Sequence, residues 1–128
     1  GAQATANVTL DASGTLTFLT AGKYAITLFL RFGRTTAGGQ AVLLNRFLVN
    51  DVQGLNSNGL ILPDNNITAP FSTTLHLDTQ AGTTFKMQIM RDSAGVNNGG
   101  LLPVTPTVPA WNIVPSATII VNRFVGLT

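Results

Sequence analysis

The chain has 128 residues, 9% charged side chains, a formal net charge of +2, no cysteine and no glutamate; this is the length of one domain, at far less than the roughly 25% charge of an average soluble one. So little charge excludes a long solvated helix, a coiled coil and a polyionic tail, and the missing cysteine excludes disulfide scaffolds, zinc–thiolate centres and thiol catalysis. The five arginines, at 31, 34, 46, 91 and 123, are scattered, so no basic footprint for nucleic acid is formed, and no apolar run reaches the ~20 residues of a membrane-spanning helix.

Threonine occurs 18 times and the aliphatic residues are β-branched in large part, which favours strands. In chain order, Val8–Leu10 and Thr15–Leu19 are short strand candidates, and Ala21-Gly22 is a turn. Tyr24–Phe32 is the clearest strand. Tyr24, Ile26, Leu28, Leu30 and Phe32 form one face, and Ala25, Thr27, Phe29 and Arg31 the other. Ala41–Val49 has apolar residues four apart, as a short helix would, but no N-cap follows its double glycine, and a strand is predicted. Gly54–Ala69 reads as a long loop. Phe71–Leu77 alternates with Phe71, Thr73, Leu75 and Leu77 inward, and Thr84–Met90 with Phe85, Met87 and Ile89 inward and Lys86 and Gln88 outward. Gln80-Ala81-Gly82 joins these two as a hairpin-like turn. Asp92–Ala110 is a second long loop, and Pro115–Val125 a long final strand. Seven or more short strands with turn punctuation indicate a β-sandwich, all-β, spanning residues 1–128 as a single domain.

The outward residues are the anomaly. A sheet face that meets water should be polar, yet Phe29 lies outward on Tyr24–Phe32, and the final strand leaves either Ile120 and Phe124 or Ile119, Val121 and Val125 uncovered. Twelve ionised side chains cannot mask this on the roughly 6,500 Å² expected of a folded chain of this mass. A symmetric oligomer is the economical explanation.

The stretch from Gly14 to Leu28 resembles the signature of the tumour necrosis factor/complement globular-head superfamily. That signature has an aromatic or apolar residue six positions before a glycine, then Gly-x-Tyr-x-apolar-x-apolar; Leu16, Gly22, Tyr24, Ile26 and Leu28 fill these places. Leu75-x-Leu77, Gly82 and Phe85-x-Met87-x-Ile89 are similar to the family's paired strands around a glycine turn, and Ser116–Val121 is similar to its closing strand. The matches bracket about 110 residues in order. The resemblance implies a ten-stranded jelly roll and a homotrimer, with Ala25, Thr27, Phe29, Ser116, Thr118 and Ile120 lining the three-fold axis. The chain departs from animal members in its low charge, its longer turn after Leu77 and its Pro-rich segment Leu102–Pro109. Its richness in Thr, Asn and Gly looks like a bacteriophage tail protein. The expected role is therefore a non-enzymatic knob at the tip of a tail needle or fibre, part of the virion. It would meet a host-surface glycan or outer-membrane protein without stable insertion into the membrane. A start at Gly1 reads as an added leftover residue or as a cut within a longer parent chain, of which this would be a C-terminal piece. The alternative is a secreted, complement-like or cytokine-like ligand of a protein receptor.

Candidate chemistry is sparse. His76, the single histidine, lies on the outward side of its strand with no acid or nucleophile paired to it in sequence. The five aspartates have no glutamate partner and no fixed short spacing, which gives glycosidase chemistry no support. Asp64-Asn65-Asn66 reads as a solvated turn in preference to a calcium loop. Arg91-Asp92-Ser93 reads as a strand end with a local charge pair. No catalytic residue, metal site or cofactor is expected. Trp111 and Arg31 are candidate ligand contacts; Trp111 would either stack on a sugar ring or, the preferred reading, anchor the Pro-rich loop. The sequons at Asn7 and Asn66 are read as chance matches in a threonine-rich chain.

Overall fold

Strands alone make up the regular structure of the described residues of the computed structural model, which are 7–35, 39–64, 67–92, 98–108 and 111–126. They are β1 (Val8–Leu10), β2 (Leu16–Phe18), β3 (Gly22–Gly33), β4 (Ala41–Val49), β5 (Val52–Leu62), β6 (Thr68–Thr79), β7 (Thr84–Arg91), β8 (Gly100–Leu101) and β9 (Ala117–Phe124). Every pairing is antiparallel. The first sheet has the order β1-β2-β7-β4-β5. In the second, β6 flanks one side of β3, and β8 and β9 share the other. The pairs β2·β7, β3·β6 and β4·β5 are nested around the β4–β5 hairpin, and the chain changes sheet at every step from β2 to β7 except within that hairpin. The result is a long hairpin rolled over its own core, a β-sandwich compatible with a jelly roll.

The core follows from the alternation. Tyr24, Ile26, Leu28, Leu30 and Phe32 of β3 are all buried and meet Leu16, Phe18, Leu43, Phe47, Leu62 and Phe85 of the other sheet. The rings of Phe18 and Tyr24, one from each sheet, lie 4.7 Å apart and tilted, a favoured aromatic geometry. The buried Tyr24 hydroxyl donates to the Thr20 carbonyl at 2.8 Å, so it enters the core without leaving a polar group unpaired.

Several sequence expectations change. Residues 54–69 are mostly strand, because β5 runs to Leu62 and β6 begins at Thr68. Asn50 and Asp51 have φ of 49° and 64° and join Val49 to Val52, a two-residue turn with both positions left-handed that suits a hairpin. The Gly and Asn residues of β5 have little strand propensity; cross-strand pairing with β4 overrides it. The early start of β6 includes Pro70. Among the described strands β6 pairs with β3 alone, and such an edge tolerates a residue without an N–H.

Residues Gln80–Gly82 do not close a hairpin, because β6 and β7 lie in different sheets and face the same core from opposite sides. The turn is a corner of the sandwich. Gly82 has φ of 89° and donates its N–H to the Phe18 carbonyl at 2.8 Å, while Thr83 N–H donates to Gln80 O at 3.1 Å. The expected loop 92–110 contains β8, paired with Phe32 and Gly33, and a bridge joins Val104 to Val114; residues 93–97 and 109–110 lie outside the described set. The final strand starts at Ala117 instead of Pro115, whose ring nitrogen cannot donate to a ladder. At the other end, β3 takes in Gly22. The described residues form nine strands, one fewer than the resemblance implies.

Candidate functional site

The outer surface of the second sheet collects most of the residues singled out from sequence. Its centre is β3, and register places Thr27 opposite Ile120, Phe29 opposite Thr118, and Ala25 opposite Asn122. On the other flank Thr27 faces Thr74, and their hydroxyls are 3.0 Å apart. Ile119 and Val121 of β9 pack against the core, which turns Ile120 and Phe124 outward. Phe29, Ile120 and Phe124 are 49%, 44% and 53% exposed. Lys23 and Arg31 stand at the two ends of the outward row of β3, and no charge lies between them.

Five of the six expected axis residues therefore share one strip, and Ser116 adjoins it: its carbonyl accepts the Arg31 N–H at 2.9 Å, just before β9 begins. Ala25 is on this face yet 8% exposed. His76 and Phe124, whose rings meet edge-on at 5.8 Å, belong to the strands on either side of it. Phe124 was singled out only as one of two possible outward sets; the register of β9 against β3 selects it.

Arg31 closes the far end of the strip. It lines a cleft of about 410 Å³ with Phe29, Pro70, Ser72, Pro115 and Thr118, and its Nε is buried without a hydrogen-bond partner. Trp111 does not anchor the Pro-rich segment. Its side chain is 75% exposed, and Ile113 and Val108 are 62% exposed; the Val104–Val114 bridge closes that segment by backbone pairing.

The chemistry-bearing residues do not converge. His76 is exposed and packs on Phe124. Among the described residues no three potential metal-ligating side chains of His or Asp type cluster. Arg91 donates from Nη1 to Asn98 Oδ1 at 3.0 Å, in place of the expected pairing with Asp92. Asn65 and Asn66, of the candidate calcium turn and the second sequon, lie outside the described residues. The Asn7 side chain accepts from Thr20 Oγ1 at 3.1 Å.

The outer surface of the first sheet is different, and sequence reading passed over it. Arg46 on β4 donates from Nε to Gln88 Oε1 at 2.9 Å and from Nη1 to Gln53 Oε1 at 3.0 Å. These side chains stand at the head of a groove of about 600 Å³. Register sets Arg46 opposite Gln88 on β7, and an irregularity between Arg46 and Leu48 brings Gln53 of β5 within reach. The turn pair Asn50-Asp51 was the available signal: read as a hairpin, it makes Val52 onward a strand beside β4. Beside the groove, Lys86 forms an ion pair with Asp51. No protein-family model matches the chain, and a search of curated proteins finds no match either.

Proposed function

We propose that the chain is the trimeric, non-enzymatic knob of a bacteriophage tail needle or fibre, with a tumour necrosis factor-like jelly roll, and that it meets the host envelope. The observation that carries this reading is the uncharged strip of Ala25, Thr27, Phe29, Thr118 and Ile120 on the second sheet, with two large apolar side chains about half exposed. Burying Phe29 and Ile120 is worth roughly 1.5–3 kcal/mol per side chain, and three-fold symmetry repeats the gain. Small and hydroxyl-bearing neighbours permit close approach of the copies. Host contact then falls to surfaces turned away from the axis and gains strength from three copies acting together.

Light scattering at micromolar concentration tests assembly, with a molar mass of about three chains expected. Binding of the isolated chain to host cells, without turnover of envelope glycans, tests the role. A monomeric chain, or a turnover activity abolished by His76→Ala, overturns the reading.

A further inference from the structure

We infer that the groove on the outer face of the first sheet binds an acidic saccharide, holding its carboxylate on a donor fork made by Arg46, Gln53 and Gln88. Hydrogen-bond logic leads to this. A guanidinium only donates, so the amide atom that each glutamine turns toward Arg46, at 2.9 and 3.0 Å, is its oxygen. Both carboxamide NH₂ groups are left over as donors. Together with the remaining guanidinium N–H groups they form an array of donors around one positive charge. No carboxylate lines the groove among its described residues, so the array has no acidic partner of its own; the nearby Lys86 is paired with Asp51. The missing complement is an oxyanion, and a planar guanidinium matches a carboxylate in particular.

The rest of the groove suits a sugar ring. Ser57 on β5, opposite Arg46, is exposed and offers a hydroxyl partner, while Leu44 and the 58% exposed Met90 provide an apolar patch for ring C–H groups. Gly59 lies opposite Leu44, and a Cβ there would come within 3.2 Å of the Leu44 side chain, so glycine keeps the floor open. About 600 Å³ falls inside the ~300–1,000 Å³ range of small-ligand sites. The groove and the apolar strip lie on different sheets, facing away from each other, so this inference stands whether or not the chain assembles as proposed.

Titration with glucuronate, glucose and inorganic phosphate, followed by backbone amide NMR shifts, tests it. Glucuronate should bind saturably, with shifts centred on Arg46, Gln53 and Gln88, and glucose and phosphate at least tenfold more weakly. Arg46→Ala should weaken glucuronate at least tenfold. Gln88→Glu is the stricter variant: its carboxylate still pairs with Arg46, so folding is kept, yet it fills the anion position and removes a donor, and binding should also fall at least tenfold. No saturable glucuronate binding, glucose or phosphate binding as tightly as glucuronate, or unchanged affinity in a folded Gln88→Glu variant would each overturn the proposal.

Discussion

The two outer faces of the sandwich are built from the same period-two alternation and differ in where they carry charge. On the first sheet the outward row carries Arg46, hydrogen-bonded to Gln53 and Gln88, and Lys86, ion-paired with Asp51. On the second the outward row carries Ala25, Thr27, Phe29, Thr118 and Ile120, with charge only at its ends. With twelve ionised groups in the whole chain, where they are missing is informative. A face that is solvated needs polar groups, and a face that is covered is destabilised by them.

The largest expected effect sets the faces directly against each other. In the proposed trimer, Phe29→Asp would place three carboxylates around one dry axis, where desolvation and mutual repulsion would both oppose assembly; light scattering should then show the molar mass fall about threefold. Lys86→Asp, on the solvated face, should leave the mass unchanged. A Phe29→Asp trimer with unaltered melting temperature would erase the distinction between the faces.

The next effect compares the inward sides. Phe85 on β7 is 2% exposed and stacks on Phe47, whereas Phe71 on β6 is only partly buried. Phe85→Ala should cost about 3–5 kcal/mol, and Phe71→Ala about half of that or less. Urea unfolding at one fixed chain concentration measures both, because the proposed assembly would be linked to stability; equal losses would mean that the sheets are buried alike. A smaller effect probes the corner that joins them. Gly82 has φ of 89° and open space around a prospective Cβ, so Gly82→Ala should cost about 1 kcal/mol through backbone strain alone.

The smallest concerns the exposed turn before β2. The Ser13 hydroxyl, together with the Thr15 N–H, bonds to the Asp11 carboxylate and holds it below its ordinary value of 3.8. A carboxyl depressed in the folded state adds stability that is present above its unfolded value and lost as pH falls through the folded one. Asp11→Asn should therefore remove a small stabilisation present at neutral pH and, with it, flatten the slight loss of stability below about pH 4. A thermal melt series from pH 2 to 7 on both proteins checks the sign.

Much of the frame was legible because alternation is local. Tyr24 to Phe32 announces its buried and outward sides without any knowledge of its neighbours, and the outward Phe29 already signals an uncovered face. Strand β5 was illegible for the opposite reason. Its Gly and Asn residues carry no strand preference, and it exists through its pairing with β4. The groove was missed with it, since Arg46, Gln53 and Gln88 come from three strands and meet only when β4 lies between β5 and β7. Trp111 failed in another way: residue type suggested burial, but backbone pairing between Val104 and Val114 closes its segment without it.

By itself, the sequence determined the all-β class, the core side of β3, β6 and β7, and the scarcity of charge, each a matter of residue type and spacing along one stretch of chain. Tertiary structure alone decided that Gln80–Gly82 turns a corner between sheets, that Ile120 and Phe124 are the outward side of β9, and that one arginine gathers two glutamines. The physical reason is common to all three. A strand's alternation has two sides, and only the sheet packed against it selects which side is buried and which residues of distant strands come to stand side by side.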